Sequence, residues 1–225
     1  MLNIPEAIIL DIDNTIYEYM PCHIYAMSIV SKELEIKHKV SKKNFTLAYN
    51  KSRKIIKSRL LNTASSHSRI LYFQNTIEIL FKKTDIILSL YLEEIYWKAF
   101  INKAKLFDGV IKFLKFLKLK KIKIAVLTDL TTQIQFKKLI HFKINNYFDY
   151  VVTSEESGID KPNKTPFNLI IKKLNINPRK IWMIGDNPHK DMTGAGNVKL
   201  NKIQKKHGRI SIVKNGKGKP DLVFN

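Results

Sequence analysis

The sequence predicts an α/β fold: a mostly parallel sheet with helices, interrupted by an all-α insertion. From about residue 106 onward, short apolar runs alternate with amphipathic stretches, a pattern typical of strand–helix–strand units. The apolar run "AIIL" at Ala7–Leu10 predicts one more buried strand. Between these regions Gly and Pro are almost absent, and apolar residues recur at helical spacing. We therefore predict a core of residues 1–16 and 106–225, and a helical domain of residues 17–105.

The predicted helical domain contains several amphipathic helices. The stretches "HIYAMSIVSKEL", "RILYFQNTIEILF" and "ILSLYLEEIYWKAF" each carry apolar residues three and four positions apart. Polar residues near Val40–Ser41, Thr63–Ser66 and Thr84–Asp85 predict the breaks between the helices.

The second half of the chain shows helices and strands in alternation. Thr165 resembles an N-cap, followed by Pro166 at the first helical position. The predicted helices are 110–119, 131–142 and one from Thr165, and the predicted strands are 122–127, 150–153, 180–184, 210–213 and 222–224.

Length and composition limit the class of protein. With 225 residues and 44% hydrophobic content, the chain can bury a full core. No apolar run approaches the roughly 18 residues of a membrane span, and the first residues do not read as a signal peptide. Cys22 is the only cysteine, which excludes a disulfide framework and a multi-cysteine metal site. We expect a cytoplasmic protein with no membrane contact, and the sequence carries no signal of its oligomeric state.

The strong positive charge, a formal +21, has two interpretations. One is a nucleic-acid or other polyanion partner, bound by phosphate neutralisation. However, only five of the 40 basic residues are Arg, which leaves 35 Lys, and these are spread along the chain. Proteins that recognise nucleic-acid bases rely on Arg for bidentate hydrogen bonds. We therefore favour a solvated lysine-rich surface and do not expect a nucleic-acid partner; a polyanion-binding protein stays as the remote alternative.

Polar side chains follow three of the predicted strands. Asp11 and Asp13 come directly after "AIIL", Thr128 ends the next strand, and Asp186 follows "IWMIG" with Asp191 five residues later. Any one of them could be an ordinary turn residue. Because ligands bind at the carboxyl ends of parallel strands, we expect all of them to converge. Converging carboxylates need a hard cation such as Mg²⁺, which takes carboxylate and phosphate oxygens.

Two further groups suit a phosphate. Lys161 stands just ahead of a predicted helix N-terminus, which itself favours an anion. A Lys and the Thr128 hydroxyl in one crevice would bind phosphate oxygens. The sequence therefore indicates a site for a metal ion and a phosphate.

Four segments resemble the four motifs of the haloacid dehalogenase superfamily, in order, spacing and strand context. They are "DIDNT" (11–15), "LTD" (127–129), "DKP" (160–162) and "GDNPHKD" (185–191). The helical insertion is similar to the helical cap of the superfamily's first subclass. The resemblance covers the whole chain and implies a HAD-like, Rossmannoid core with an inserted cap. It is nearest to small-molecule phosphatases that begin "DxDNTxY".

The resemblance also implies a role for each motif residue. Asp11 would be the nucleophile that forms an aspartyl-phosphate, and Asp13 would protonate the leaving group and then activate water. Thr128 and Lys161 would bind the transferring phosphoryl group, and Asp129 would be a further substrate-binding residue on the phosphate side. The implied metal residues are Asp11, Asp13 through its backbone carbonyl, Asp186 and Asp191.

The second acid of "DID" decides the reaction type. Dehalogenases of the superfamily lack an acid at the position of Asp13 and use no metal, so the motif favours phosphoryl transfer. We expect a Mg²⁺-dependent phosphomonoesterase for a small phosphorylated metabolite, namely a sugar, polyol or aminoalcohol phosphate. A nucleoside 5′-monophosphatase and a phosphomutase of the same superfamily remain open.

Some residues carry weaker signals. Tyr17 and His23 follow the first motif and could touch substrate, although packing is the plainer interpretation. Arg69, in "SSHSR", could face an anionic substrate or lie on the surface of the cap. Asp129 stands where Asn or Gly is commoner in the superfamily, and "TGAGNVKLNKIQ" is an irregular version of its usual helix and strand.

Overall fold

The computed structural model describes residues 4–208 and 210–225. The chain divides into two compact units, one of Met1–Glu18 with Lys105–Asn225 and the other of Tyr19–Ala104. The first boundary lies two residues after the predicted one, and the second lies one residue before it.

The second unit is all-helical. Its helices pack in pairs, with α1 against α4 and α2 against α3, and buried aromatic rings such as Phe73 and Tyr96 fill the space between them. The four helices are α1 (Tyr19–His38), α2 (Lys42–Arg59), α3 (Arg69–Phe81) and α4 (Ile86–Lys103), with a 3-10 turn at Ala64–His67. Ser41, Ser68 and Asp85 cap α2, α3 and α4 by accepting a backbone hydrogen bond in the first turn. These caps explain why the polar breaks in the sequence end one helix and begin the next.

The first unit is built on a six-stranded sheet in the order β3-β2-β1-β4-β5-β6, and every neighbouring pair is parallel. The strands are β1 (Ala7–Leu10), β2 (Lys123–Thr128), β3 (Tyr150–Thr153), β4 (Ile181–Gly185), β5 (Asn201–Lys205) and β6 (Leu222–Phe224). All four residues of β1 are buried, as the continuous apolar run predicts for a strand covered on both faces. The predicted parallel α/β sheet is therefore confirmed.

In this unit, helices lie between successive strands from β1 to β5 along the chain. They are α5 (Val110–Leu119), α6 (Thr132–His141), α7 (Ser154–Ser157), α8 (Lys164–Leu174) and α9 (Thr193–Asn197), with 3-10 turns at Asn145–Tyr147 and Pro178–Lys180 and a π-helical turn at Pro188–Met192. Among the residues that the structure describes, no helix is both long and apolar enough to cross a membrane.

The segment that leads out of the first unit, at Ile16 and Tyr17, lies next to the segment that leads back into it, at Leu106 and Phe107. The Phe107 amide donates a 2.9 Å hydrogen bond to the Ile16 carbonyl, and Tyr17 forms an antiparallel bridge with Leu106. The helical segment is thus an insertion whose two ends are hydrogen-bonded to each other within the sheet-containing unit.

The predicted strand at 210–213 is wrong, because these residues form no regular structure. The edge of β5 is already occupied by β6, which pairs Leu222 with Ile203. Ile212 is 39% exposed, so the segment gains little apolar burial that would hold it in a sheet. The strand that the resemblance implies within "TGAGNVKLNKIQ" is present as β5.

The start of α8 also differs from the prediction. The helix begins at Lys164, and Asn163 rather than Thr165 is its cap, because the Asn163 side chain accepts a 2.9 Å hydrogen bond from the Thr165 amide. Pro166 then falls within the first turn, where its missing N–H costs no helical hydrogen bond.

A glycine in α9 permits close packing behind the sheet. Gly194 lies against Phe167, which is fully buried in the core cluster with Ile170, Leu174 and Met183. A methyl group at Gly194 would overlap the Phe167 ring. The close approach of α9 to α8 therefore requires a residue without a side chain at this position.

We predict that Gly194→Ala destabilises the protein by about 1–3 kcal/mol through overpacking. Urea denaturation measures the change in the free energy of unfolding. In a Phe167→Leu background the same substitution should cost less, because the shorter side chain leaves room for the methyl group. Equal costs in both backgrounds would show that the Phe167 ring is not the obstacle.

Candidate functional site

Three polar strand ends meet at one edge of the sheet. Leu10 of β1 pairs with Val126 of β2 on one side and with Ile184 of β4 on the other, and all three strands run in the same direction. Asp11, Thr128 and Asp186 therefore lie at neighbouring strand ends. The central position of β1 brings together residues that are more than 170 positions apart in the sequence.

Three carboxylates form the centre of this edge. Asp11, Asp186 and Asp191 are all buried, and each offers an oxygen such that the three oxygens lie within 4.8 Å of one another. Asp191 reaches this position from the π-helical turn, where its carboxylate accepts a 3.0 Å hydrogen bond from the Asn187 amide. A side chain at Gly185 would overlap the Asp191 carboxylate, so glycine is required there. This cluster could hold a metal ion.

One buried ammonium group joins the cluster. Lys161 Nζ donates hydrogen bonds to Asp11 Oδ1 and Asp191 Oδ1, both at 2.6 Å, and to the Leu127 carbonyl at 3.2 Å. Lys161 is only 4% exposed. Lys161 thus pairs with two of the three carboxylates, and the negative charge of the three exceeds the one positive charge that Lys161 supplies in this buried place.

This excess of charge perturbs the pKa values of the cluster. Burial raises the pKa of Asp11 well above its usual range; Lys161 opposes the shift, and the charges of Asp191 and Asp186 add to it. Burial and the Asp191 charge raise the pKa of Asp186 to about 7. Although burial alone would lower it, the charges of Asp11 and Asp191 raise the pKa of Lys161. A bound cation would reduce the repulsion among the carboxylates and lower their pKa values, because it favours the charged form of every carboxylate around it.

The second-motif residues have well-defined partners. The Thr128 hydroxyl, 2% exposed, accepts a 2.8 Å hydrogen bond from Gln135 Nε2. Asp129 Oδ1 accepts a 3.0 Å hydrogen bond from the Lys161 amide, and Asp129 Oδ2 pairs with Lys190 Nζ at 2.6 Å. The Asp129 carboxylate, which we predicted as a substrate-binding group, therefore fixes the backbone at Lys161.

Asp13, which is not one of the three clustered carboxylates, has its own partners. Its Oδ1 accepts hydrogen bonds from Lys138 Nζ at 2.6 Å and from the Tyr17 hydroxyl. Burial would raise the pKa of Asp13, but Lys138, Tyr17 and Gln135 together lower it. Tyr17, for which we predicted a possible contact with substrate, is fully buried, and its hydroxyl contacts the Asp13 carboxylate.

Sequence reasoning missed the residues that α6 supplies. The buried face of α6 consists of Ile134, Gln135, Lys138 and Leu139, so a Gln and a Lys replace apolar residues at helical spacing. Two polar residues at positions where the helical spacing predicts apolar ones are the sequence signal that could have identified Gln135 and Lys138 as site residues. Thr15, which donates a 3.2 Å hydrogen bond to Asp11 Oδ2, was also missed, although it lies within the first motif.

The remaining predicted residues, His23 and Arg69, lie in the all-helical unit. His23 Nδ1 is 2.7 Å from the Tyr96 hydroxyl. Arg69 is 9% exposed, donates to the His67 carbonyl at 2.7 Å and to the Tyr19 hydroxyl, and lies over the rings of Tyr72, Tyr96 and Trp97. A cation in an aromatic cage is stabilised by the ring quadrupoles. Within this unit, both side chains have partners that would also suit a packing role.

Comparison with known proteins places these features in a family. Residues 5–199 match the model of the haloacid dehalogenase-like hydrolases. A ribulose-1,5-bisphosphate 5-phosphatase of Halopiger xanaduensis is 31% identical over 198 residues, covering 88% of this chain and 83% of that protein. A phosphoglycolate phosphatase of Nitrosococcus oceani is 24% identical over 83% of this chain and 77% of its own length. The crystal structure of a HAD phosphatase from Thermococcus onnurineus covers 96% of this chain and 92% of its own, with a TM-score of 0.68 and 23% identity.

The half-buried His23 of the helical unit gives a prediction for acid stability. Burial and the charges of Arg69 and Arg53 lower the pKa of His23 from 6.5 to about 4. As the pH falls below 6.5, the unfolded chain takes up a proton at His23 before the folded chain does, so stability is lost between pH 6.5 and 4. We expect this contribution to reach about 2 kcal/mol at pH 4.5.

The measurement compares the wild-type chain with His23→Gln by denaturant unfolding at pH 7 and pH 4.5. The variant should lose about 2 kcal/mol less stability on acidification, since it has no imidazole to protonate. Equal losses in the two proteins would contradict the lowered pKa.

Proposed function

Because the chain belongs to the haloacid dehalogenase-like hydrolases, we propose that it is a Mg²⁺-dependent phosphomonoesterase that acts through an aspartyl-phosphate on Asp11. The observation that carries the proposal is the buried group of Asp11, Asp186 and Asp191 around the Lys161 ammonium. A buried carboxylate next to an ammonium group and two other carboxylates suits a nucleophile that meets a phosphate and a cation together.

The residues present fit Mg²⁺. The three carboxylates offer hard oxygen donors, which Mg²⁺ prefers, and their negative charge exceeds the positive charge that Lys161 supplies to the cluster. Asp11, Asp186 and Asp191 would hold the ion, together with the Asp13 backbone carbonyl. Bound there, Mg²⁺ would neutralise charge on the phosphoryl oxygens as they pass through the transition state.

The first half of the proposed reaction transfers the phosphoryl group to the enzyme. Lys161 and the Thr128 hydroxyl bind phosphoryl oxygens, and Lys161 also favours the ionised form of Asp11. An Asp11 oxygen forms a bond to phosphorus while the bond from phosphorus to the ester oxygen breaks. Asp13 gives its proton to the leaving oxygen, so that an alcohol departs. A phosphate dianion beside Asp13 raises the pKa of that carboxyl and so opposes the effect of Lys138.

The second half returns the enzyme to its starting state. The Asp13 carboxylate takes a proton from a water molecule, whose oxygen attacks phosphorus as the bond to Asp11 breaks. Inorganic phosphate is released, and Asp13 again carries the proton that the next cycle needs. In the phosphoenzyme, the Lys138 ammonium beside Asp13 lowers the pKa of Asp13 and so favours the carboxylate form that takes the proton from water.

The substrate is a small phosphorylated metabolite, and sugar phosphates are the first class to test. The similar proteins are named as phosphatases of ribulose 1,5-bisphosphate and of phosphoglycolate, which supports a short carbon chain. We propose that the all-helical unit, Tyr19–Ala104, is the cap that selects among such compounds.

We predict phosphate release from at least one member of a panel of sugar, polyol and aminoalcohol phosphates and nucleoside 5′-monophosphates. A preference for a nucleotide would favour the nucleoside monophosphatase, and isomerisation of a sugar phosphate without release of phosphate would favour a phosphomutase.

The Asp11→Asn variant tests the nucleophile. It should lower kcat by at least about a thousandfold, because the amide is a poor nucleophile. Unchanged turnover by a folded Asp11→Asn protein would refute the assignment of Asp11 as the nucleophile.

Metal removal is the second test of the proposal. EDTA should abolish phosphate release, and added Mg²⁺ should restore it, because the clustered carboxylates would otherwise repel the phosphate. Asp186→Asn should need at least about tenfold more Mg²⁺ for half-maximal activity. Glu35→Gln, which changes an exposed acid of α1, is the matched control and should behave as the wild type. Full activity in EDTA would contradict the metal site.

A further inference from the structure

Lys138 lies on the buried face of α6, where packing alone would be satisfied by an apolar side chain. Lys138 is 0% exposed and lies between the apolar residues Ile134 and Leu139 on that face. A buried ammonium group is costly unless it is paired, and an apolar side chain would fill the same space at lower cost. The position of the charge therefore points to its partner, Asp13, whose Oδ1 is 2.6 Å away.

Asp13 is held from more than one direction. Tyr17, four residues later in the chain, donates its hydroxyl proton to the same oxygen, Asp13 Oδ1. Tyr17 is fully buried, and its ring also lies 5.6 Å from the Lys138 ammonium. The Asp13 side chain is nevertheless 29% exposed, so a water molecule or a leaving group can reach it. The carboxylate is thus fixed in direction but open to solvent.

The same turn of α6 holds a second group of the site. Gln135, three residues before Lys138 and fully buried, donates to the Thr128 hydroxyl at 2.8 Å and to the Asp129 carbonyl at 2.7 Å. One helical turn therefore fixes both the Thr128 hydroxyl and the Asp13 carboxylate relative to each other.

From this geometry we propose that Lys138 and Tyr17 are positioning residues for Asp13, which hold its carboxylate where it can exchange a proton with the leaving oxygen. The inference rests on the proposed phosphatase function. Proton transfer needs a donor and an acceptor within hydrogen-bond reach, so a carboxyl group that is free to rotate transfers protons less well. Neither Lys138 nor Tyr17 needs to touch the substrate for this role.

The dependence on the leaving group tests the proposal. An alkyl phosphate releases a strongly basic alkoxide that needs the proton from Asp13, whereas p-nitrophenyl phosphate releases a stable phenolate that does not. Because kcat/KM covers the steps only as far as release of the leaving group, it isolates this proton transfer. Lys138→Met should lower kcat/KM about tenfold to a hundredfold for the preferred alkyl phosphate and less than about threefold for p-nitrophenyl phosphate.

Two further variants complete the experiment. Lys137→Met removes the neighbouring exposed lysine of α6 and should leave both esters unaffected. Tyr17→Phe keeps the buried ring and should produce a smaller loss that again falls on the alkyl ester. If Lys138→Met does not fold, as judged by circular dichroism, Tyr17→Phe decides the outcome. Equal losses on the two esters, or no loss on either, would overturn the positioning role.

The outcome is separable from the proposed function. Asp11→Asn should abolish turnover of both esters, because the nucleophile is needed whatever the leaving group is. Turnover of both esters by Asp11→Asn would refute the phosphatase mechanism. If Asp11→Asn is inactive but Lys138→Met affects both esters equally, only the positioning role fails.

Discussion

The ion pair between Lys161 and the two carboxylates of Asp11 and Asp191 is the interaction on which the rest of the site depends. It buries opposite charges from three distant parts of the chain, and each bond is 2.6 Å long. Such charges are stable in a protein interior only when their hydrogen-bonding groups are satisfied. The sheet order supplies that condition, because β1 lies between β2 and β4 and all three strands end at the same edge.

Several other features follow from that requirement. Glycine at position 185 leaves space for the Asp191 carboxylate, and the π-helical turn brings Asp191 back toward the strand ends. Asp129 holds the Lys161 amide and is itself neutralised by Lys190. The acid at position 129 is thus accompanied by a nearby lysine that balances its charge.

Much of the fold and of the motif residues could be predicted from the sequence, because both depend on local patterns. Buried parallel strands are short apolar runs, and the polar groups that meet at their carboxyl ends are the residues that follow directly, such as Asp11 and Asp186. The strand predicted at 210–213 is wrong, because its apolar residues suit a strand but β6 pairs with the free side of β5. Which of two apolar segments pairs with a strand depends on their competition for the same position, and the periodicity of one segment does not describe that competition.

The contacts around Asp13 lay beyond the reach of sequence patterns for a related reason. Lys138 is 125 residues away from Asp13, and only the packed sheet brings α6 beside the first motif. A lysine on an amphipathic helix is usually solvated, and Lys138 differs from its neighbour Lys137 only by the face on which it falls. The periodicity of α6 indicates burial, but the identity of the partner comes from the tertiary structure alone.

The central claim, an aspartyl-phosphate on Asp11, is tested most directly by the stereochemical course at phosphorus. The preferred substrate would be made with a phosphoryl group that is chiral by oxygen isotopes, and the configuration would be read after transfer to an acceptor alcohol. Two successive in-line displacements, first by Asp11 and then by the acceptor, predict overall retention. Inversion would mean that the acceptor attacks the substrate directly, and the covalent mechanism would be wrong.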